Sequence, residues 1–198
     1  MNAAALLCAL TLSATGAGEA HLLAGARHFR EGRYAEALVE FRVAEKLGAR
    51  DAVAYAGASL VKLGRWEEAI EAFGPDERAR SDALLGYYRA LACHGARLYV
   101  CADAALAAIQ GRSGPKLAEQ AAKIRAELAP KLASPAAPAT VERYAARCVE
   151  LRRAGRGVLA DAYCREAAAL ADRARAATGS AGANGTLEPA AAAGGPPP

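Results

Sequence analysis

A seven-residue phrase that occurs twice constrains this chain more than any other feature. Gly32-Arg33-Tyr34-Ala35-Glu36-Ala37-Leu38 returns 32 residues later as Gly64-Arg65-Trp66-Glu67-Glu68-Ala69-Ile70. A fixed period of this length marks an architecture of stacked supersecondary units, each too thin to bury its apolar face alone. Composition agrees on the type of unit. Ala makes up more than a quarter of the 198 residues and the aromatics only 6%. Ala is the strongest helix former, and the residues that favour strands are sparse. The expectation is an all-α chain, a short right-handed α-solenoid of antiparallel helical hairpins with a disordered C-terminal tail.

The first unit starts at His21. Leu22, Leu23, Ala26 and Phe29 fall at helical spacing, Gly32 breaks the helix, and Ala37, Leu38, Phe41, Ala44 and Leu47 line the return helix. The second unit repeats this with Val53, Ala56, Gly57 and Leu60, the Gly64 turn, then Trp66, Ala69, Ile70 and Phe73. Gly74-Pro75 cuts its return helix short. A weaker third hairpin places Leu84, Leu85, Tyr88 and Leu91 before a turn at His94-Gly95-Ala96, and Leu98, Cys101, Ala105 and Ile109 after it. Leu117, Ala121, Ile124 and Leu128 mark a further helix. Residues 129–140 read as a Pro-rich linker. A fourth hairpin over 141–177 turns at Gly155, with Ala160 and Ala167 at its small positions. Residues 178–198 are Gly, Ala and Pro with almost no large apolar side chain, and read as disordered.

The two clear units resemble tetratricopeptide repeats, which extends the repeat region over 21–128. The small pair Ala24-Gly25 recurs as Ala56-Gly57 where that family has Leu-Gly. Gly32 and Gly64 take the turn, Tyr34 and Trp66 the aromatic after it, Ala37 and Ala69 the crossing position, and Phe41 and Phe73 the aromatic that meets the next repeat. His21 and Val53 depart from the family's early Trp, and the period is two residues below its usual 34. The resemblance implies a non-enzymatic protein–protein interaction module that binds a peptide or partner helix in a groove lined by the first helices. Transferred by position, that lining is Leu22, Ala26, Phe29, Arg30, Tyr55, Ala58 and Lys62. The alternative filling of this groove is by the N-terminal segment or the 117–128 helix. Leu22, Ala26 and Tyr55 stand where carboxylate-gripping members of the family use Lys and Asn, which argues against that role here. The alternative function is a structural or assembly subunit of an envelope-associated complex, able to self-associate.

Residues 1–20 read as an export signal. The stretch 3–14 is apolar and of secretory length, and small residues follow with cleavage expected after Ala17 or Ala20, although no Lys or Arg precedes Arg27. The alternative is an uncleaved helix capping the first repeat. After signal removal no stretch is long enough to span a membrane, so the expected location is periplasmic or secreted, with the cytoplasm as alternative.

Four cysteines lie beyond the leader. Cys93 and Cys101 are symmetric about Arg97, and Cys148 and Cys164 about Arg156, so each pair sits at one level of its own hairpin. Two disulfides are one expectation, tied to export; four small buried thiols in a reducing compartment are the other. There is no C-x-x-C pair and no His at ligand spacing from a Cys except His94, adjacent to Cys93, and no metal or cofactor is expected. His21 and His28, two turns apart, and His94 form no catalytic set. Glu67 and Glu68 read as charges at a helix start. The net charge of +4 is spread over both signs, and Arg147, Arg152, Arg153 and Arg156 read as a solvated face and not a nucleic-acid footprint.

Overall fold

The same backbone turn closes four helical hairpins. In the computed structural model, which describes residues 3–75, 82–134 and 136–182, the turn residues Gly32, Gly64, Arg97 and Gly155 all have φ between 62° and 77°. In each turn the next amide donates back five residues: Arg33 to the His28 carbonyl, Arg65 to Leu60, Leu98 to Cys93 and Arg156 to Leu151, at 2.8–3.0 Å. This pairing satisfies carbonyls that a helix end leaves unpaired, and it needs a left-handed residue.

The turns join α1 (Ala3–Arg30) to α2 (Tyr34–Lys46), α3 (Ala52–Lys62) to α4 (Trp66–Phe73), α5 (Ala83–Gly95) to α6 (Tyr99–Ile109), and α8 (Pro138–Arg153) to α9 (Gly157–Gly182), with α7 (Pro115–Ala133) between the last two hairpins. Among the described residues there is no strand. The return helices α2 and α4 also pack on the next first helix, α3 and α5 respectively, and the first helix α3 neighbours both α1 and α5. The chain is therefore a short stack of hairpins.

Counting from the turn gives one register for all four. Five residues after it stand Ala37, Ala69, Ala102 and Ala160, each with no exposed surface. A larger side chain there would push the two helices apart. Seven residues before the turn and nine after it stand Gly25 and Phe41, then Gly57 and Phe73, then Ala90 and Leu106, then Cys148 and Cys164. The first two pairs interlock. A Cβ on Gly25 would lie 2.6 Å from the Phe41 ring, and one on Gly57 would lie 2.0 Å from the Phe73 ring. In the fourth hairpin a Cys148–Cys164 disulfide takes the same place, with Cα atoms 5.2 Å apart. A second disulfide joins Cys93 to Cys101, four residues either side of the third turn, with Cα atoms 5.8 Å apart.

This register corrects the third hairpin. Its turn is at Arg97, not at His94-Gly95-Ala96. Gly95 is the last residue of α5, and its missing side chain makes room for the Trp66 ring, which a Cβ would approach to 2.4 Å. With the turn at Arg97, Tyr99 falls two residues later and is the counterpart of Tyr34 and Trp66. The third unit keeps the aromatic that spacing from Gly95 had hidden. Arg97 is a non-Gly residue in the left-handed region, a conformation that costs roughly 1–2 kcal/mol.

Three boundaries also differ. α1 runs unbroken through Ala17 and Ala20, so 20/21 is not a structural boundary, and Gly18 is buried against Leu47 and Ala44 of α2. α7 continues through Pro130 to Ala133, and α8 starts at Pro138, so most of the expected linker at its two ends is helix. Pro130 lies inside the last turn of α7 and removes one intrahelical backbone bond there without ending the helix. α9 reaches Gly182, past the expected start of the tail; residues 183–198 lie outside those described.

Candidate interaction surface

The first helices carry the expected groove residues, and they do not all face outward. Leu22, Ala26, Phe29 and Tyr55 are partly buried against the core, while Arg30 and Lys62 are exposed. Phe29 meets Tyr34 edge-to-face at 5.2 Å, and Tyr55 stacks on Phe41 at 5.3 Å. Each ring has one side fixed and keeps part of its surface in solvent. Ala58 is 1% exposed and so is not part of an accessible lining. Its helix α3 is the central one of the first-helix row, flanked by α1 and α5 as well as by α2 and α4.

Sequence reasoning missed the third hairpin's share. Counting back from Arg97, Tyr87, Leu91 and His94 stand where Leu22, Ala26 and Phe29 stand in the first unit. All three are half-buried. Burial pushes the Tyr87 and Tyr88 phenols above their ordinary value. Burial, followed by the nearby Lys131 charge, pushes His94 below its own, against a smaller pull from Glu127. Lys131 of α7 reaches His94 and lies over the Tyr99 ring at 4.8 Å. The rest of α7 packs on α6, with Ala121 and Leu128 buried and Arg125 paired to Asp103 at 2.9 Å. It does not fill the groove along α1 and α3.

The last hairpin does not continue the stack of first helices. α9 packs on the return helices α4 and α6, and three glutamates fix it there. Glu67 of α4 accepts from Arg147 of α8 at 2.9 Å and from the Tyr163 hydroxyl of α9 at 2.7 Å, with Arg156 at 3.7 Å. Burial raises its pKa, but the Tyr163 and Arg147 hydrogen bonds and the Arg147 and Arg156 charges outweigh this, and the carboxyl lies below its usual range. Glu71 of α4 accepts from the Leu159 amide at 2.9 Å and so caps α9. Glu166 of α9, 1% exposed, accepts from the Val100 amide at 2.8 Å and so caps α6. Burial holds the Glu166 carboxyl above its usual range, against backbone amides of residues 99–101 that favour the ion. Each glutamate supplies an acceptor at the positive end of the other helix.

Two expectations change here. Glu67 is an inter-hairpin partner and not only a helix-start charge, whereas Glu68 pairs locally with Arg65 at 2.5 Å. Arg147 and Arg156 face Glu67, although Arg152, exposed and 3.3 Å from Asp161, does belong to a solvated face. His21 pairs with Glu40 at 2.6 Å. Among the described residues no group of His, Cys, Asp or Glu could hold a metal ion, and no helix is long and apolar enough to cross a membrane.

No family model matches the chain, and no curated protein and no solved structure match it either.

Proposed function

We propose that this is a helical-repeat protein of the tetratricopeptide kind that works in an oxidising compartment and binds a peptide or partner helix on its first-helix surface. The observation that carries the reading is the division of faces. The C-terminal hairpin docks on the return helices α4 and α6, so the α1, α3 and α5 side keeps Phe29, Tyr55 and Tyr87 part-exposed, bordered by the cations Arg30 and Lys62. Aromatics held on one side and wet on the other give contact area at little entropic cost. The shared turn-and-Ala register supports the repeat assignment. The two disulfides support export, because a reducing cytosol would keep the thiols free.

A photo-crosslinking residue placed at Arg30 or Lys62 should capture a partner in producing cells, while the same residue at the exposed Val149 of α8 should not. Adducts from all three sites, or from none, would sink the proposal. Light scattering of the purified chain should report a monomer. Concentration-dependent association through the same positions would favour the assembly-subunit reading instead.

A further inference from the structure

A cleft of about 300 Å³ lies between the third turn and the last hairpin, lined by Arg97, Arg143, Tyr144, Arg147 and Tyr163. It is separate from the first-helix surface. Three arginines line it, and they are not equivalent. Arg147 is held by Glu67 at 2.9 Å and Glu150 at 2.8 Å. Arg97 and Arg143 have no acidic partner among the described residues. Arg143 lies over the Tyr144 ring at 5.7 Å. Around the cleft Glu67 and Glu150 are committed to Arg147, Glu67 also faces Arg156, and Glu166 is turned to the Val100 amide. Neither Arg97 nor Arg143 is paired with any of these carboxylates.

The tyrosines form an apolar wall. Their rings are 5.6 Å apart at 34°, and both hydroxyls are engaged, Tyr144 donating to the Arg97 carbonyl at 3.0 Å and Tyr163 to Glu67. Arg143 and the neighbouring ring cover part of the Tyr144 face, and both rings offer the cleft only the part of their surface that is not buried. Arg97 adds an independent observation. It holds φ 62° where the other three turns use Gly, and it lines the cleft. Strain of this kind points to a role beyond the turn itself.

We propose that this cleft binds a small organic oxyanion, a phosphate or carboxylate carried on a flat apolar body. Unpaired guanidinium forks match such oxyanions in shape and charge, and the tyrosine faces match the body. The probes are phenyl phosphate, benzoate and inorganic phosphate, titrated calorimetrically into the full oxidised chain. Phenyl phosphate or benzoate should bind saturably and better than inorganic phosphate, and the two identify which oxyanion is preferred. Arg97→Gly relieves the left-handed strain and should raise the ligand-free Tm by roughly 2–4 °C, yet weaken binding about tenfold or more. Arg143→Gln should weaken binding similarly without that rise. A variant that is more stable and binds less cannot be explained by misfolding. If neither organic anion binds, or if Arg97→Gly binds as the wild type does, the site is not there. If inorganic phosphate binds as well as phenyl phosphate, the tyrosine wall contributes nothing and the organic part of the proposal fails.

Discussion

Gly25 and Gly57 show what a single missing side chain does in this fold. Each lets a first helix close on the ring of a buried Phe with no exposed surface, and in each a Cβ has nowhere to go. The clash is deeper at Gly57, 2.0 Å from Phe73, than at Gly25, 2.6 Å from Phe41. Gly57→Ala is expected to cost about 3 kcal/mol and Gly25→Ala about 1–2 kcal/mol, the usual span for overpacking, read from denaturant midpoints at unchanged m-value. Equal costs would mean that the rings are free to move. Residues of this sort were legible in the sequence, because small and aromatic side chains recur at one spacing. Arg97 was not. Its side chain carries no sign of a left-handed backbone, and the nearby Gly95 is the more obvious turn residue until Trp66 is seen packed against it.

At the scale of helices, the docking of the last hairpin rests on carboxylates with opposite titration behaviour. These were the least legible residues, because Glu67, Glu71, Glu166 and Arg147 read as ordinary helix-surface charges until α9 is laid on α4 and α6. Glu67 has a folded pKa below its usual value near 4.5. Its contribution is therefore present above that value and lost as pH falls through the folded pKa. Glu67→Gln should lower stability at pH 7 by about 1 kcal/mol, discounted because the side chain is a third exposed, and should flatten the loss of stability in acid. Glu166 runs the other way. Its folded pKa is raised, so the cost of its buried charge is absent below the usual carboxyl value and complete above the folded one. Glu166→Gln keeps an acceptor for the Val100 amide and removes that charge. The variant should be at least as stable as the wild type at pH 8, and the advantage should vanish below about pH 4.5. Glu166→Ala, which leaves the α6 amide uncapped, should be less stable at every pH, by about 1 kcal/mol. Thermal melts across pH 4–8 read all three.

Across the whole molecule the hairpins divide into two kinds. The first two hold their helices together with a Gly–Phe pair and carry no Cys pair about their turns. The last two have no Phe in that register, and each carries a disulfide. Both Cys pairs could be found from sequence because they are symmetric about their turns; why they stand there follows only from the stack. Phe41 and Phe73 are fully buried, and the next first helix, α3 or α5, packs on the return helix that carries each of them. α9 has no next hairpin in the described stack, and Cys164 at the equivalent position is partly exposed. An aromatic there would lack a cover, whereas a bond within the hairpin needs none. The double variant Cys148→Gly with Cys164→Phe restores the pair of the first two units and tests this. If an intra-hairpin Gly–Phe contact were enough, it would melt with the oxidised wild type. It should instead melt lower, by an amount equivalent to about 2–4 kcal/mol, and the uncovered ring should produce concentration-dependent association in light scattering. Cys148→Ala with Cys164→Ala should lose similar stability and remain monomeric, which separates loss of the cross-link from exposure of the ring.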